Sequence, residues 1–243
     1  MNIKLEVIGF DVDSCIAAQL AGADRIELCD GPNEGGTTPS YGFIKAARHK
    51  LSIPIYAIIR PRGGDFLYSD DEYEIMKTDI MLCKHIGCDG VVCGILQADG
   101  SVDIKRSSAL AALAYPLGVT FHRAFDRVND PFTAMEDIIG CGFERILTSG
   151  LHSNAIDGIE MISKLVEQAN DRIIIMPGSG IRADNIKIIA TKTKAIEFHT
   201  SARSILKSKM IFINEKMNEE LNSVTVDVTE IQEIKSILTS MNL

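Results

Sequence analysis

Three stretches far apart in this chain read alike. Ala21-Gly22-Ala-Asp24-Arg-Ile-Glu-Leu resembles Cys141-Gly142-Phe-Glu144-Arg-Ile-Leu-Thr and, more weakly, Ile86-Gly87-Cys-Asp89-Gly-Val-Val. Each is a helical segment stopped by glycine, then an acidic residue, then an apolar run of strand length. Glycine suits the stop because the residue after a helix commonly takes a left-handed backbone, which glycine adopts without steric penalty. A helix that feeds a buried strand, repeated, builds a parallel sheet whose crossover helices cover its faces.

Extended along the chain, the pattern predicts strands near 3–8, 24–29, 54–60, 89–93, 117–122, 144–148, 172–177 and 195–199. Helices are expected over 12–21, 40–50, 70–86, 103–114, 131–140, 154–169, 182–190 and 229–240. Ser40, Ser69, Asp130 and Asp184 suit helix caps, and Pro131 suits a first helical position. No linker or low-complexity segment divides the chain. Eight βα units in 243 residues fit one α/β domain over 1–243, a closed (β/α)8 barrel rather than an open doubly wound sheet. Residues 200–228 break the pattern, because connections in such folds usually run to about 2–6 residues. They read as a long insertion between strand 8 and helix 8: a lid, an extra helix or a subunit contact.

The apolar runs end in residues suited to chemistry: Glu27-Leu-Cys29, Ile59-Arg60-Pro-Arg62, Phe121-His122-Arg123, Thr148-Ser149-Gly150, Pro177-Gly178-Ser-Gly180 and Glu197-Phe-His199. Ends of neighbouring parallel strands converge, so these groups point to a site at one mouth of the barrel. Alternation along strands sends Glu6, Glu27 and Glu197 inward, with Ile8, Cys29 and His199 expected one layer further out. Arg60 and His122 enter from strands 3 and 5. Three interior carboxylates are costly unless protonated, paired or metal-bound. Either they pair with Lys4, Arg25 and Arg60 as a purely structural set, or they handle protons or cations. Glu6, Glu27, Arg60, His122 and Glu197 are the catalytic candidates.

Gly178-Ser-Gly180-Ile-Arg-Ala183 matches the G-x-G-x-x-A dinucleotide pattern, but it falls in the seventh unit of eight, whereas that motif opens the first βαβ of an open sheet. In barrels, glycine turns after strands 7 and 8 commonly cradle a phosphate with backbone N–H groups. Gly178, Gly180, Ser201 and Arg62 are therefore the candidate anion site. The alternative is a glycine turn required only for packing.

Composition excludes several classes. The net charge is −8 with no basic stripe, which argues against nucleic-acid binding. No apolar run approaches the ~18 residues of a membrane span, and Met1-Asn-Ile-Lys-Leu-Glu does not read as a signal peptide, so a cytoplasmic protein is expected. Six cysteines in that compartment should be reduced. Cys83, Cys88 and Cys93 are evenly spaced, but a strand over 89–93 separates the last two by roughly 16 Å at ~3.3 Å per residue. They read as buried structural thiols.

The motifs taken together resemble the CutC family, named for copper homeostasis. The resemblance rests on Glu27-Leu-Cys29, Glu34-Gly-Gly-Thr-Thr-Pro-Ser40, Ile59-Arg-Pro-Arg-Gly-Gly-Asp-Phe66, Thr120-Phe-His-Arg-Ala-Phe-Asp126, Leu147-Thr-Ser-Gly150 and Glu197-Phe-His-Thr-Ser-Ala202, and spans about residues 3–205. It implies a cytoplasmic TIM barrel that self-associates and binds or traffics copper, with Cys29 as the copper ligand here, completed by His199, another thiol or a second subunit. Ile8 stands where many members carry a second thiol, so a two-thiol Cu(I) site is not available. Two functions follow as expectations: Cu(I) handling through Cys29, or an enzyme acting on a small anionic metabolite, a phosphorylated one included, at the C-terminal mouth of the barrel.

Overall fold

A computed structural model describes residues 3–241. Eight parallel strands, β1 (Lys4–Gly9), β2 (Arg25–Leu28), β3 (Ile55–Ile58), β4 (Gly90–Cys93), β5 (Gly118–Phe121), β6 (Arg145–Thr148), β7 (Ile174–Pro177) and β8 (Glu197–Thr200), run in the order β7-β6-β5-β4-β3-β2-β1-β8. β7 and β8 pack side by side and close the circle. Helices α1 (Val12–Leu20), α2 (Tyr41–Lys50), α3 (Asp70–Ile86), α4 (Ile104–Ala114), α5 (Pro131–Gly140), α6 (Ile159–Ala169), α7 (Ile186–Thr193) and α8 (Val228–Ser240) form the outer ring. The expected (β/α)8 barrel is thus present.

The helices begin where local chemistry favours it. Ser40, Ser69 and Asp130 each accept a backbone N–H of the first turn, and Ser69 forms a reciprocal capping box with Glu72. Gly87 ends α3 in the left-handed conformation, at φ 86°. Two helices start later than their periodicity predicts. The segment 151–158 leaves the helical path to lie over the β7 turn, so α6 begins at Ile159. Asp184 is not a cap, because Asn185 takes the turn and accepts from the backbone N–H of Arg182 ahead of α7.

Outward-facing strand residues such as Leu5, Val7, Ile26, Leu28, Ile146 and Phe198 are fully or nearly fully buried beneath the helices. They form the main core together with Ile44, Met76, Leu110 and Ile162. At about 25 cal/mol per Å² of apolar surface, this sheet–helix layer dominates the stabilisation. The insertion after β8 carries no α-helix among the described residues, only a 3-10 turn at Glu215–Met217. β9 (Arg203–Leu206) and β10 (Ser223–Val226) pair antiparallel as a hairpin, and Ile211, Phe212 and Ile213 at its far end are exposed. Among the described residues no helix is long and apolar enough to cross a membrane.

Candidate functional site

The inward faces of the strands build a staircase of charge. Register sets its steps: Lys4 lies level with Glu197, Glu6 with Arg25 and His199, and Ile8 with Glu27. The three glutamates therefore do not share one layer, as alternation alone suggested. Strands in a closed barrel are staggered, so equal positions along neighbouring strands fall at different depths.

Glu197 is deepest. Arg25 Nη2 reaches its Oε2 at 2.7 Å, and Arg145 Nε reaches the same oxygen at 2.7 Å. Burial acts to raise the Glu197 pKa, but Arg145 and Arg25 outweigh it and hold the carboxyl below its usual value. Tyr56 lies beneath both guanidiniums, 4.9 Å and 5.5 Å from ring centre to each Cζ. Gly90 and Gly118 make room for that ring, since a Cβ at either position would fall 2.3 Å or 2.2 Å from Tyr56 atoms.

Glu6 occupies the middle step. It pairs with Arg25 Nε and, through Oε1, with His199 Nδ1 at 2.6 Å. Burial opposes ionisation, yet Arg25 and His199 together keep Glu6 an anion well below the ordinary carboxylate range. Burial acts to lower the His199 pKa, but the Glu6 contact and the Glu27 charge outweigh it and raise it above its usual value.

Glu27 stands at the top of the staircase, at the floor of a 670 Å³ cavity that opens at the C-terminal strand ends. Its Oε2 accepts from the Cys29 thiol at 3.4 Å and lies 3.9 Å from His199 Nε2. Its Oε1 is buried without a partner. Desolvation pushes the Glu27 pKa up to about 7, against the pull of His199. Cys29 is 1% exposed, and burial plus the Glu27 charge push its thiol well above the usual range.

Across the cavity, His122 ends β5. Its Nδ1 accepts the Ala124 backbone N–H at 3.2 Å, and its Nε2 is buried without a partner. Burial and the nearby Arg60 charge lower its pKa to about 3, so the ring is neutral, with its proton on Nε2. Arg60 follows β3 and is 5% exposed. Its guanidinium donates to three carbonyls, Glu34 at 2.6 Å, Gly36 at 2.7 Å and Gly64 at 2.9 Å, and packs 5.1 Å from the Phe66 ring centre. No ion pair to a carboxylate is present for it among the described residues. Asp126 braces the rim by accepting from Thr148 Oγ1 at 2.5 Å, from the Ser149 backbone at 3.0 Å and from Arg123 Nε at 2.8 Å.

The structure thus brings Glu27, Arg60, His122 and His199 to one cavity, and places Glu6 and Glu197 beneath it. The expected anion set is not gathered there. Arg62 turns away to Glu72 at 2.5 Å and Asp65 at 2.9 Å, outside the cavity lining. The Gly178 N–H is used by the Thr148 carbonyl at 2.9 Å, and segment 153–155 covers the turn: Ser179 Oγ donates to the Ser153 carbonyl, and Ala155 N–H donates to the Ser179 carbonyl. A Cβ on Gly180 would lie 2.7 Å from Asn154 Oδ1. Gly178, Gly180 and Ser201 do not line the cavity. Among the described residues, no group of three or more His, Cys, Asp or Glu is arranged to hold a metal ion. Arg145 was missed, although a signal existed. It holds the same place in the internal repeat as Arg25, and both clamp Glu197.

Comparisons with known proteins converge on one family. The model of the CutC family matches residues 3–204. The copper homeostasis protein cutC homolog of Homo sapiens is 47% identical over 240 residues, covering 96% of this chain and 88% of that protein. A CutC family protein of Parabacteroides distasonis is 52% identical over 218 residues, covering 89% and 90%. The crystal structure of CutC from Streptococcus agalactiae superposes with a TM-score of 0.78 at 36% identity, covering 82% of this chain and 98% of that one. Phosphoribosylanthranilate isomerase of Thermotoga maritima, at 11% identity and a TM-score of 0.62, shares the barrel fold alone. This chain belongs to the CutC family.

Proposed function

We propose that this protein serves copper homeostasis as a cytoplasmic barrel whose mouth binds, and acts on, a small anionic metabolite. The observation that carries the reading is Arg60, a buried guanidinium at the cavity wall whose protein partners are carbonyls and not a carboxylate. A buried cation without a counter-ion favours an anionic guest, and a planar guanidinium suits carboxylate or phosphate. Thermal shift at matched ionic strength tests it, with phosphate, pyruvate and 2-oxoglutarate as probes. Occupancy at 100 Kd adds about 2.7 kcal/mol, and Arg60→Gln removes the response to the binding anion. A wild-type melting temperature insensitive to every probe refutes the reading.

The second reading is Cu(I) as cargo at Cys29. It draws on Cys29 Sγ and His199 Nε2 both approaching Glu27 Oε2. The donor set suits it poorly, because the thiol is buried and held protonated, Ile8 offers no second sulfur, and the imidazole is engaged by Glu6. Competition against a Cu(I) chelator decides: tight one-to-one binding lost in Cys29→Ala restores this reading. Self-association belongs to the proposal as well, supported by the exposed apolar end of the hairpin around Ile211 and Phe212. Light scattering of Phe212→Asp tests it, and an unchanged mass removes the hairpin from the contact.

A further inference from the structure

The cavity contains a second asymmetry besides its cation. Besides Arg60, whose Nε is buried without a partner, two of its side chains, on opposite walls, each present one unpartnered polar atom, and these two atoms are of complementary kind. Glu27 presents Oε1, an acceptor. His122 presents Nε2, which is a donor because Nδ1 is occupied by the Ala124 N–H. Both atoms are buried, and leaving such groups without partners is costly, so a guest that satisfies both is favoured. Gly94 keeps the imidazole in place by offering it space, since a Cβ there would lie 2.7 Å from Nδ1, and Phe66 packs on it at 4.8 Å between ring centres.

The tautomer decides the role. A neutral imidazole whose only free nitrogen carries the proton cannot accept one there. It donates to an oxygen, and best to one gaining charge. The acceptor that the geometry sets against it is Glu27 Oε1, buried and without a partner. The cavity lining includes no lysine, so a Schiff base is not offered, and Cys29 is buried and hydrogen-bonded away. A base on one side, a neutral donor on the other and a fixed cation at the wall suit one reaction class, proton removal from carbon beside a carbonyl.

We propose that the substrate is a small anionic carbonyl compound and that the protein forms and reprotonates its enolate, a step that rests on the anion-binding reading above. Glu27 Oε1 takes the proton from the carbon next to the carbonyl. The C–H electron pair becomes the C=C bond, and the C=O π pair moves to oxygen, where the His122 Nε2–H holds it. Arg60 neutralises the carboxylate or phosphate of the same molecule. Return of a proton to the same carbon, after exchange with solvent, regenerates the substrate carrying solvent hydrogen; where that carbon also bears a hydroxyl, delivery to the former carbonyl carbon, with the hydroxyl proton passing to the former carbonyl oxygen, gives isomerisation. No oxidant, reductant or cofactor enters the balance.

The test is deuterium wash-in from D2O, followed by proton NMR, at the carbon beside the carbonyl of pyruvate, 2-oxoglutarate and dihydroxyacetone phosphate, alongside thermal shift with the same probes. Wild type is expected to bind at least one probe and to accelerate its exchange over buffer. Glu27→Gln and His122→Phe should each lower exchange about 100-fold or more while a probe still raises the melting temperature, because positioned acid–base groups contribute roughly 10²–10⁴-fold. Glu27→Asp, which keeps the carboxylate, should retain part of the rate. Binding without exchange in wild type overturns this inference and leaves the anion reading intact. Exchange undiminished in Glu27→Gln also overturns it. No binding by any probe overturns the anion reading itself.

Discussion

Glu197→Gln isolates the deepest step of the charge staircase. The substitution keeps the shape of the side chain and removes its charge. Arg25 retains Glu6, but Arg145, in a side chain 5% exposed, is left without a carboxylate and with neutral groups beside it, Thr120 Oγ1 at 3.2 Å and the Tyr56 ring. Removing one member of a buried ion pair costs about 3–5 kcal/mol, chiefly because the surviving charge stays buried. For a chain this long, each kcal/mol moves the melting temperature by about 2–4 °C, so a fall of roughly 6–20 °C is expected near neutral pH. The pH dependence fixes the cause. The folded-state pKa of Glu197 lies below its unfolded value of 4.5, so its contribution is complete above that pH and is lost as pH falls through the folded value. Urea unfolding of wild type and variant in steps from pH 7 to pH 3.5 should show a constant gap down to about 4.5 and a narrowing gap below it. A gap under about 1 kcal/mol at pH 7, or one of equal size at every pH, would refute the reasoning.

Glu27 carries the opposite sign. Its folded pKa is raised from 4.5 to about 7, so wild-type stability should fall as pH rises between those values, and Glu27→Gln should gain on it by up to roughly 3 kcal/mol above pH 7, read by the same urea series. Gly90→Ala forces a methyl against the Tyr56 ring and should cost about 1–3 kcal/mol, most of it recovered by adding Tyr56→Leu, as measured by thermal unfolding. All six cysteines are buried, so alkylation by iodoacetamide counted by mass spectrometry should be slow in the native protein and reach six only on unfolding.

Much of the barrel was legible because its signals are local. Glycine stops, helix caps and apolar runs of strand length each act within a few residues, and eight of them in series leave few architectures. Inward parity found Glu6, Glu27, Glu197 and His199 for the same reason, since alternation is a property of one strand. Depth is not. The level of Glu197 beneath Glu6 depends on how β8 is staggered against β1, and no single strand carries that register. The two departures at the mouth are also non-local. Arg62 follows Glu72 on a different element, and the Gly178 turn is covered by residues 153–155, the last two of which periodicity assigns to a helix. His122 was found as a titratable residue, but its role turns on one backbone N–H, that of Ala124, whose direction emerges only when the chain turns after β5.

The arginine–glutamate–tyrosine layer beneath Glu27 has a consequence for traffic. It stoppers the lower barrel, so the cavity is a cup and not a tube. Whatever enters leaves by the rim, past Arg123 and Asp126, and one guest must vacate before another can settle, so two ligands of the cup exclude one another by occupancy.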